Sequence, residues 1–146
     1  MENLLRMKLQ SYLVHHNPEV ILNFEGKTTL SKYIDDKLNA NRALLESLYE
    51  EKKPMYIIEE LCMNELTKDL RPSRFQYLRG ILEDEFEEQY LKLRESGMLT
   101  YEVVNLITAC KQIFEGLNFT EETEHSRVIR YAAIGFIEEY FLKENS

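Results

Sequence analysis

The sequence predicts an all-α protein, and three observations support this fold class. Apolar residues recur at intervals of three and four along nearly the whole chain, which is the spacing of a helix face rather than the alternation of a strand. Only five glycines and three prolines interrupt the 146 residues, which leaves few turns for a hairpin-rich protein. Short connections between the periodic stretches favour a single compact bundle of about six helices in one domain, residues 1–146.

The first predicted helix runs from about Glu2 to His16. Its core-facing residues recur at helical spacing, and they are Leu5, Leu9, Tyr12 and Leu13. The helix ends before Pro18, because the residue before a proline is pushed out of the α region. Pro18 also suits the first position of a short helical turn that Asn17 caps. Before Gly26, this turn directs three side chains toward the core: Val20, Ile21 and Phe24.

A second helix begins near Thr28 or Thr29 and ends at Glu51-Lys52-Lys53-Pro54. Asn41 interrupts its apolar stripe, which consists of Leu30, Ile34, Leu38, Leu45 and Leu48. Pro54 fits the first turn of a third helix, where the missing N–H is not needed. This helix extends to about Leu70, and its apolar residues are Ile57, Ile58, Leu61, Cys62 and Leu66.

The fourth helix has the clearest start signal. Ser73 and Gln76 have the spacing of a capping box, in which the serine hydroxyl accepts the N–H three residues later. We expect one long helix that stops at Ser96-Gly97, where glycine can take the left-handed conformation. Its inward residues are Phe75, Leu78, Ile81 or Leu82, Phe86, Tyr90 and Leu93.

Two further helices complete the prediction. The fifth starts at Thr100 as cap, stops at Gly116, and carries Val103, Ile107, Cys110 and Phe114. The sixth starts at Thr120 as cap, with acidic residues in its first turn that complement the helix dipole. We place it centrally because its apolar band is wide, taking in Ile129, Ala132, Ala133, Phe136, Ile137, Tyr140 and Phe141.

Composition and charge exclude several classes of protein. The chain carries 18 lysines and arginines against 26 aspartates and glutamates, a net charge of −8, which argues against non-specific nucleic-acid binding. The longest run without charged or strongly polar groups, residues 131–137, is too short to cross a bilayer. The start of the chain lacks the unbroken apolar core of a secretory signal. We therefore expect a cytoplasmic protein with no membrane partner, in which Cys62 and Cys110 are reduced core residues.

No catalytic, metal-binding or cofactor-binding pattern stands out. Glu122 and His125 form one Glu-x-x-His pair, but a helical di-iron site needs a second pair and two further glutamates. The two cysteines and three histidines could converge in space as nucleophile and base, yet no local signature supports this. No two glycines are close enough for a phosphate-binding loop. We expect a protein that is not an enzyme and that uses no cofactor or metal.

The sequence contains two clusters of charged residues, one acidic and one basic. Residues 83–88 carry five acids in six positions, which we interpret as a solvated face, with docking of a basic partner as the alternative. Upstream lie the basic residues Lys68, Arg71, Arg74 and Arg79. Because cationic side chains meet the positive end of the dipole at a helix start, Arg71, Ser73 and Arg74 mark a candidate contact for an anion or an acidic partner. The alternative is that an acid such as Asp69 pairs with the two arginines.

An ordered series of short motifs resembles a known family. The motifs are Leu9-Gln10-Ser11-Tyr12-Leu13, Pro18-Glu19, Tyr49-Glu50, Glu60-Leu61, Leu70-Arg71-Pro72-Ser73-Arg74-Phe75-Gln76-Tyr77-Leu78 and Ile81-Leu82-Glu83-Asp84-Glu85-Phe86. Over residues 5–90 the chain resembles an uncharacterised family of small bacterial helical proteins, a domain of unknown function. The resemblance implies a cytoplasmic protein from mobile-element neighbourhoods, and it supplies no catalytic residues. The chain departs from the family at Lys52-Lys53-Pro54, where the resemblance leads us to expect a glycine-containing turn.

These observations favour a non-enzymatic helical module for protein–protein interaction or structure. Helical amphipathicity is abundant, whereas polar clusters suited to chemistry are absent from the sequence pattern. The expected partner is a protein, and a second copy of the chain is one option. The alternative is an accessory protein in nucleic-acid transactions of a mobile element, which rests on the family context and on the basic residues between Lys68 and Arg79.

Overall fold

The computed structural model describes residues 1–24 and 27–144, and every regular element in these two ranges is helical. The all-α prediction is confirmed, but the described residues form nine α-helices rather than about six. The helices are α1 (Glu2–His16), α2 (Pro18–Leu22), α3 (Lys27–Glu50), α4 (Met55–Leu66), α5 (Arg74–Glu85), α6 (Glu87–Glu95), α7 (Leu99–Ala109), α8 (Lys111–Gly116) and α9 (Arg127–Glu144). A short 3-10 turn, Lys68–Leu70, follows α4. None of the described helices combines the length and the apolar character needed to cross a membrane.

The chain divides into two compact units, and the first is Met1–Arg71. Helices α1, α3 and α4 each pack against the other two, so their inward stripes meet in one core. That core consists of Leu5, Leu9, Leu13, Ile34, Leu38, Leu45, Leu48, Ile58, Cys62 and Leu66. Not every expected core residue belongs to it, since Tyr12 and Ile57 are half-buried and Leu61 is exposed. The short helix at Pro18 is present as expected, but the side chain of Asn17 does not cap it, because the amide of Asn17 donates to Glu19 and to the carbonyl of Leu70 instead. Gly26 lies outside the described residues.

The second unit is Pro72–Ser146, and it has a core of its own. Helix α5 packs against α6, α7 and α9, and α8 packs against α9. The buried residues are Phe75, Leu78, Ile81, Leu82, Tyr90, Leu99, Val103, Leu106, Cys110, Phe114, Ala133, Ile137 and Phe141. Each unit thus buries its own apolar cluster. The expectation of a single domain stays a prediction.

The prediction of one long fourth helix is wrong, because the helix is interrupted at Phe86, between α5 and α6. Phe86 has φ −134° and ψ 50°, outside the helical region, and its ring lies 5.7 Å from that of Phe141. A continuous helix would stack Glu83 over Glu87 one turn apart, and like charges at that spacing destabilise a helix. The break instead places Glu87 and Glu88 in the first turn of α6, where they face the positive end of the dipole.

The fifth and sixth predicted helices also need correction. A turn at Cys110, with φ −88° and ψ 6°, divides the fifth helix into α7 and α8. Helix α7 begins at Leu99, so Met98 rather than Thr100 is its N-cap residue. The sixth begins at Arg127, not Thr120. The bonds of Thr123 explain why the helix begins later in the sequence. Its hydroxyl accepts the N–H of Thr120 and donates to the carbonyl of Asn118, both at 2.8 Å. Threonine side chains that bond nearby backbone in this way compete with helix formation.

Candidate interaction surface on helix α1

The residues predicted to contact an anion lie at the end of the first unit and the start of the second. The guanidinium of Arg71 donates to the backbone carbonyl of Asn64 at 3.2 Å. The hydroxyl of Ser73 accepts the N–H of Gln76 at 3.0 Å, which confirms the predicted cap of α5. The guanidinium of Arg74 lies over the ring of Phe114, 4.9 Å from its centre. The two arginines therefore contact groups of their own units, and the anion contact stays a prediction.

Most other members of the two charged clusters have partners within their units as well. Lys68 bonds to Glu65 at 2.6 Å, and Asp69 lies 3.5 Å from Lys37. In the acidic run, Arg130 of α9 contacts both Asp84 and Glu85, at 3.5 and 3.3 Å. The remaining pairs in the run are Arg79 with Glu83 and Lys92 with Glu88. The run is thus an exposed network of ion pairs, as expected for a solvated face.

The residues considered for catalysis divide between the two units. His125 lies in a turn rather than on a helix face, and its exposed imidazole contacts Glu124 at 3.2 Å. Cys62 and Cys110 are free and buried, one in each unit. Burial raises the pKa of the Cys110 thiol to about 11, so it is protonated at neutral pH. Among the described residues, no three His, Cys, Asp or Glu side chains are arranged to hold a metal ion.

Helix α1 carries large apolar side chains on two opposite faces. Leu5, Leu9 and Leu13 are fully buried in the core of the first unit. About 180° around the helix, at roughly 100° per residue, lies a second stripe. We call it the outer face, and its residues are Asn3, Leu4, Met7, Ser11, Val14 and His15. Three of these are large apolar side chains that remain in solvent, with exposed fractions of 39% for Leu4, 66% for Met7 and 56% for Val14.

The charged residues of α1 lie off the outer face and form ion pairs with other helices. Arg6 forms an ion pair with Asp35 of α3, and Lys8 forms one with Glu59 of α4. Glu2 pairs with Arg42 of α3 at 2.9 Å. These bonds direct the three charges toward the neighbouring helices. The outer face itself carries no Lys, Arg, Asp or Glu.

A groove of about 550 Å³ runs between α1 and α4, beside the outer face. On the α1 side, the rings of Tyr12 and His16 stack with their centres 4.4 Å apart, and His15 Nδ1 donates to the carbonyl of Ser11 at 2.8 Å. Burial, and secondarily the neighbouring His15, lower the pKa of His16, so its imidazole is neutral at pH 7. On the α4 side, Tyr56 is exposed. The groove shares Ser11 and His15 with the outer face, so the two form one continuous surface.

The interpretation of the sequence assigned only one face to α1 and missed the outer face. The signal was present, because Leu4, Met7, Ser11 and Val14 repeat at intervals of three, four and three. Such spacing does not tell whether a second stripe is covered by another helix. The tertiary structure shows that, in the first unit, α3 and α4 both pack on the opposite side of α1 and leave this stripe in solvent.

The described residues form a helical protein with two cores and, on α1, an exposed helix face without Lys, Arg, Asp or Glu. The chain belongs to the family described as a domain of unknown function, DUF1896, whose model matches residues 3–134. This confirms the resemblance to an uncharacterised domain family that the ordered motifs indicated. No curated protein and no solved structure matches the chain.

Proposed function

We propose that the protein is a non-enzymatic interaction module that binds a protein partner through the outer face of α1. The observation that carries this proposal is the exposure of Leu4, Met7 and Val14 on one uncharged face of a helix whose opposite face is fully buried. Single exposed apolar residues are ordinary on protein surfaces, whereas a continuous row of them is characteristic of contact sites. Rows of this kind bind amphipathic helices through residues three, four and seven apart.

The charge distribution supports the same proposal. The chain carries a net charge of −8, and acids are spread over both units. Charged residues are depleted at the centre of protein interfaces, because an unpaired charge loses its hydration there. An uncharged area therefore suits the centre of such a contact. The outer face of α1 supplies such an area, and the charged residues of this helix already form ion pairs within the first unit.

The alternative function, in nucleic-acid transactions of a mobile element, rests on the family context. A protein gains affinity for nucleic acid by neutralising phosphates with lysine and arginine. Arg71 and Arg74 contact a backbone carbonyl and an aromatic ring of their own units, and Lys68 contacts Glu65. These contacts add no support to the alternative.

A site-specific photo-crosslinker tests the proposed function. Placed at Ser11, in the middle of the outer face, it should form a discrete protein adduct in cells that produce the protein. The same group at Ser47, an exposed position on α3, should form none. Met7→Glu should abolish the adduct, because it buries an unpaired charge in the contact. Equal labelling from both positions, or an adduct that Met7→Glu leaves unchanged, would exclude the outer face as the binding surface.

A further inference from the structure

We infer that the groove between α1 and α4 is a binding site for a guanidinium group, supplied by an arginine of the protein that covers the outer face. The inference rests on the function proposed above, because it names the chemistry of that partner. The groove has a volume of about 550 Å³, within the roughly 300–1,000 Å³ of small-molecule sites. It shares Ser11 and His15 with the outer face, so one partner segment can cover the face and place a side chain in the groove.

Aromatic rings form both walls of the groove. On the α1 side, the rings of Tyr12 and His16 stack on each other, and His16 is neutral at pH 7 because burial lowers its pKa. On the α4 side, the side chain of Tyr56 is 70% exposed. The faces of aromatic rings attract cations, and the planar guanidinium of arginine also stacks on them. These walls therefore favour a planar cation.

The charges that line the groove include one carboxylate without a cationic partner. Lys8 of α1 forms an ion pair with Glu59 of α4, so these two charges neutralise each other. Glu60 is exposed, lines the same groove and forms no ion pair with any residue that the structure describes. It follows Tyr56 by four positions on α4, and residues four apart lie on one helix face. A tyrosine ring and an unpaired carboxylate are therefore neighbours on the α4 wall.

The second unit contains the same two groups with an arginine bound to them. The guanidinium of Arg79 lies 5.6 Å from the centre of the Tyr90 ring and 3.8 Å from the carboxylate of Glu83. Tyr56 and Glu60 present the same ring and carboxylate to the groove. Among the described residues, no cation lies over the ring of Tyr56 or pairs with Glu60, so a partner has to supply it. The net charge of −8 attracts a basic partner over longer distances.

An NMR titration with N-acetylarginine amide tests the site with a probe that has no charged backbone groups. Saturable chemical-shift changes should centre on Tyr56 and Glu60, with a dissociation constant on the order of 1 mM, as expected for so small a ligand. N-acetylcitrulline amide has nearly the same shape but a neutral urea group. It should bind at least about fivefold more weakly, because it lacks both the cation–π attraction and the ion pair.

Two matched pairs of variants assign the binding to the groove. Glu60→Gln should weaken binding about two- to fivefold. Glu46→Gln removes the same charge from an exposed position on α3 and should leave binding unchanged. Tyr56→Ala should also weaken binding about two- to fivefold, whereas Tyr131→Ala, at 67% exposure in the second unit, should not. Circular dichroism confirms that all four variants are folded.

The outcomes separate this inference from the proposed function. Binding of the arginine probe that weakens in Glu60→Gln and Tyr56→Ala, together with a smaller adduct from the photo-crosslinker at Ser11 in both variants, supports the inference. No saturation, equal binding of the citrulline probe, or equal weakening in the control variants would each overturn it. If the groove does not bind the arginine probe but the adduct at Ser11 persists, the proposed function stands with a partner of other chemistry. If the groove binds the probe but Ser11 yields no adduct, the proposed function fails, and with it the assignment of the arginine to a partner protein.

Discussion

Three helix ends in this chain share one hydrogen-bond pattern but differ in the residue that takes the left-handed conformation. The φ angles are 58° at Lys52, 75° at Gly97 and 55° at Asn118. At each end two backbone N–H groups bond back into the last turn, as in the bonds from Lys53 to Leu48 and from Lys52 to Tyr49. This is the Schellman arrangement, in which glycine is the usual residue at the left-handed position. The turn after α3 therefore has the geometry of a glycine turn but holds a lysine.

Replacing Lys52 with glycine should raise the free energy of unfolding by about 1 kcal/mol. A side chain in the left-handed region costs roughly 1–2 kcal/mol, and the greater flexibility of unfolded glycine offsets part of the gain. Chemical denaturation measures the difference. Lys53→Gly is the matched control, since Lys53 has no positive φ, and it should not stabilise the protein. Equal stabilisation by both substitutions would mean that the effect comes from lost charge rather than from backbone geometry.

Asn41 is a second residue that does not suit its position, because it is polar and buried in the core. It is 3% exposed within the apolar stripe of α3, and its Oδ1 has no hydrogen-bond partner among the described residues. The stripe is therefore a continuous buried face, although Asn41 in it is polar. A buried polar atom without a partner costs about 1–3 kcal/mol relative to water.

Asn41→Leu should therefore stabilise the first unit by about 1–2 kcal/mol, because leucine fills a similar volume without an unsatisfied oxygen. The thermal midpoint of unfolding provides the measurement. Asn39→Leu places the same residue at an exposed position on the same helix and should change the midpoint little. A midpoint for Asn41→Leu below that of wild type would contradict the prediction.

At the scale of elements, the sequence predicted those helix ends that depend on local chemistry. Pro18 begins α2, Ser73 caps α5 and Gly97 follows α6 in the left-handed conformation, all as expected from residue type. The break at Phe86 and the late start of α9 were not predicted. The first places the ring of Phe86 against Phe141, which is distant in sequence, and the second depends on which backbone groups Thr123 bonds. The spacing of apolar residues along the chain predicts neither of these interactions.

The same distinction applies to the candidate surface. The spacing of Leu4, Met7 and Val14 is visible in the sequence, but their exposure depends on where α3 and α4 pack. Arg74 shows the reverse case. The sequence indicates a cation at a helix start, and only the tertiary structure shows that its guanidinium lies over the ring of Phe114. Residue spacing thus identifies faces, whereas the assignment of each face to core, partner or solvent requires the packed structure.

Helix α5 offers a direct test of its buried face. Leu82 is fully buried, and its neighbour Glu83 is exposed, with an ion pair to Arg79 at 3.8 Å. Leu82→Ala should lower the free energy of unfolding by about 2–5 kcal/mol, as truncation of a buried leucine does. Glu83→Ala should lower it by less than about 1 kcal/mol, because exposed ion pairs contribute little. Denaturant titrations of the two variants provide the comparison, and equal losses would contradict the assigned orientation of α5.

At the scale of the whole molecule, the question is whether two cores unfold as one. The units comprise residues 1–71 and 72–146, sizes at which a separate domain is only marginally stable. The 3-10 turn ends at Leu70 and α5 begins at Arg74, so three residues join the last element of one unit to the first of the next. A connection this short lacks the length and the Gly- or Ser-rich composition of a flexible linker.

We therefore predict a single unfolding transition, and the two buried cysteines can test it. Cys62 reports on the first unit and Cys110 on the second, because each thiol is protected from labelling while its own core is intact. In wild type, both should become reactive at the same denaturant concentration. In Leu82→Ala, which weakens only the second core, both should shift together to a lower concentration if the units are coupled. Labelling of Cys110 at low denaturant while Cys62 keeps its wild-type midpoint would show two independently unfolding domains.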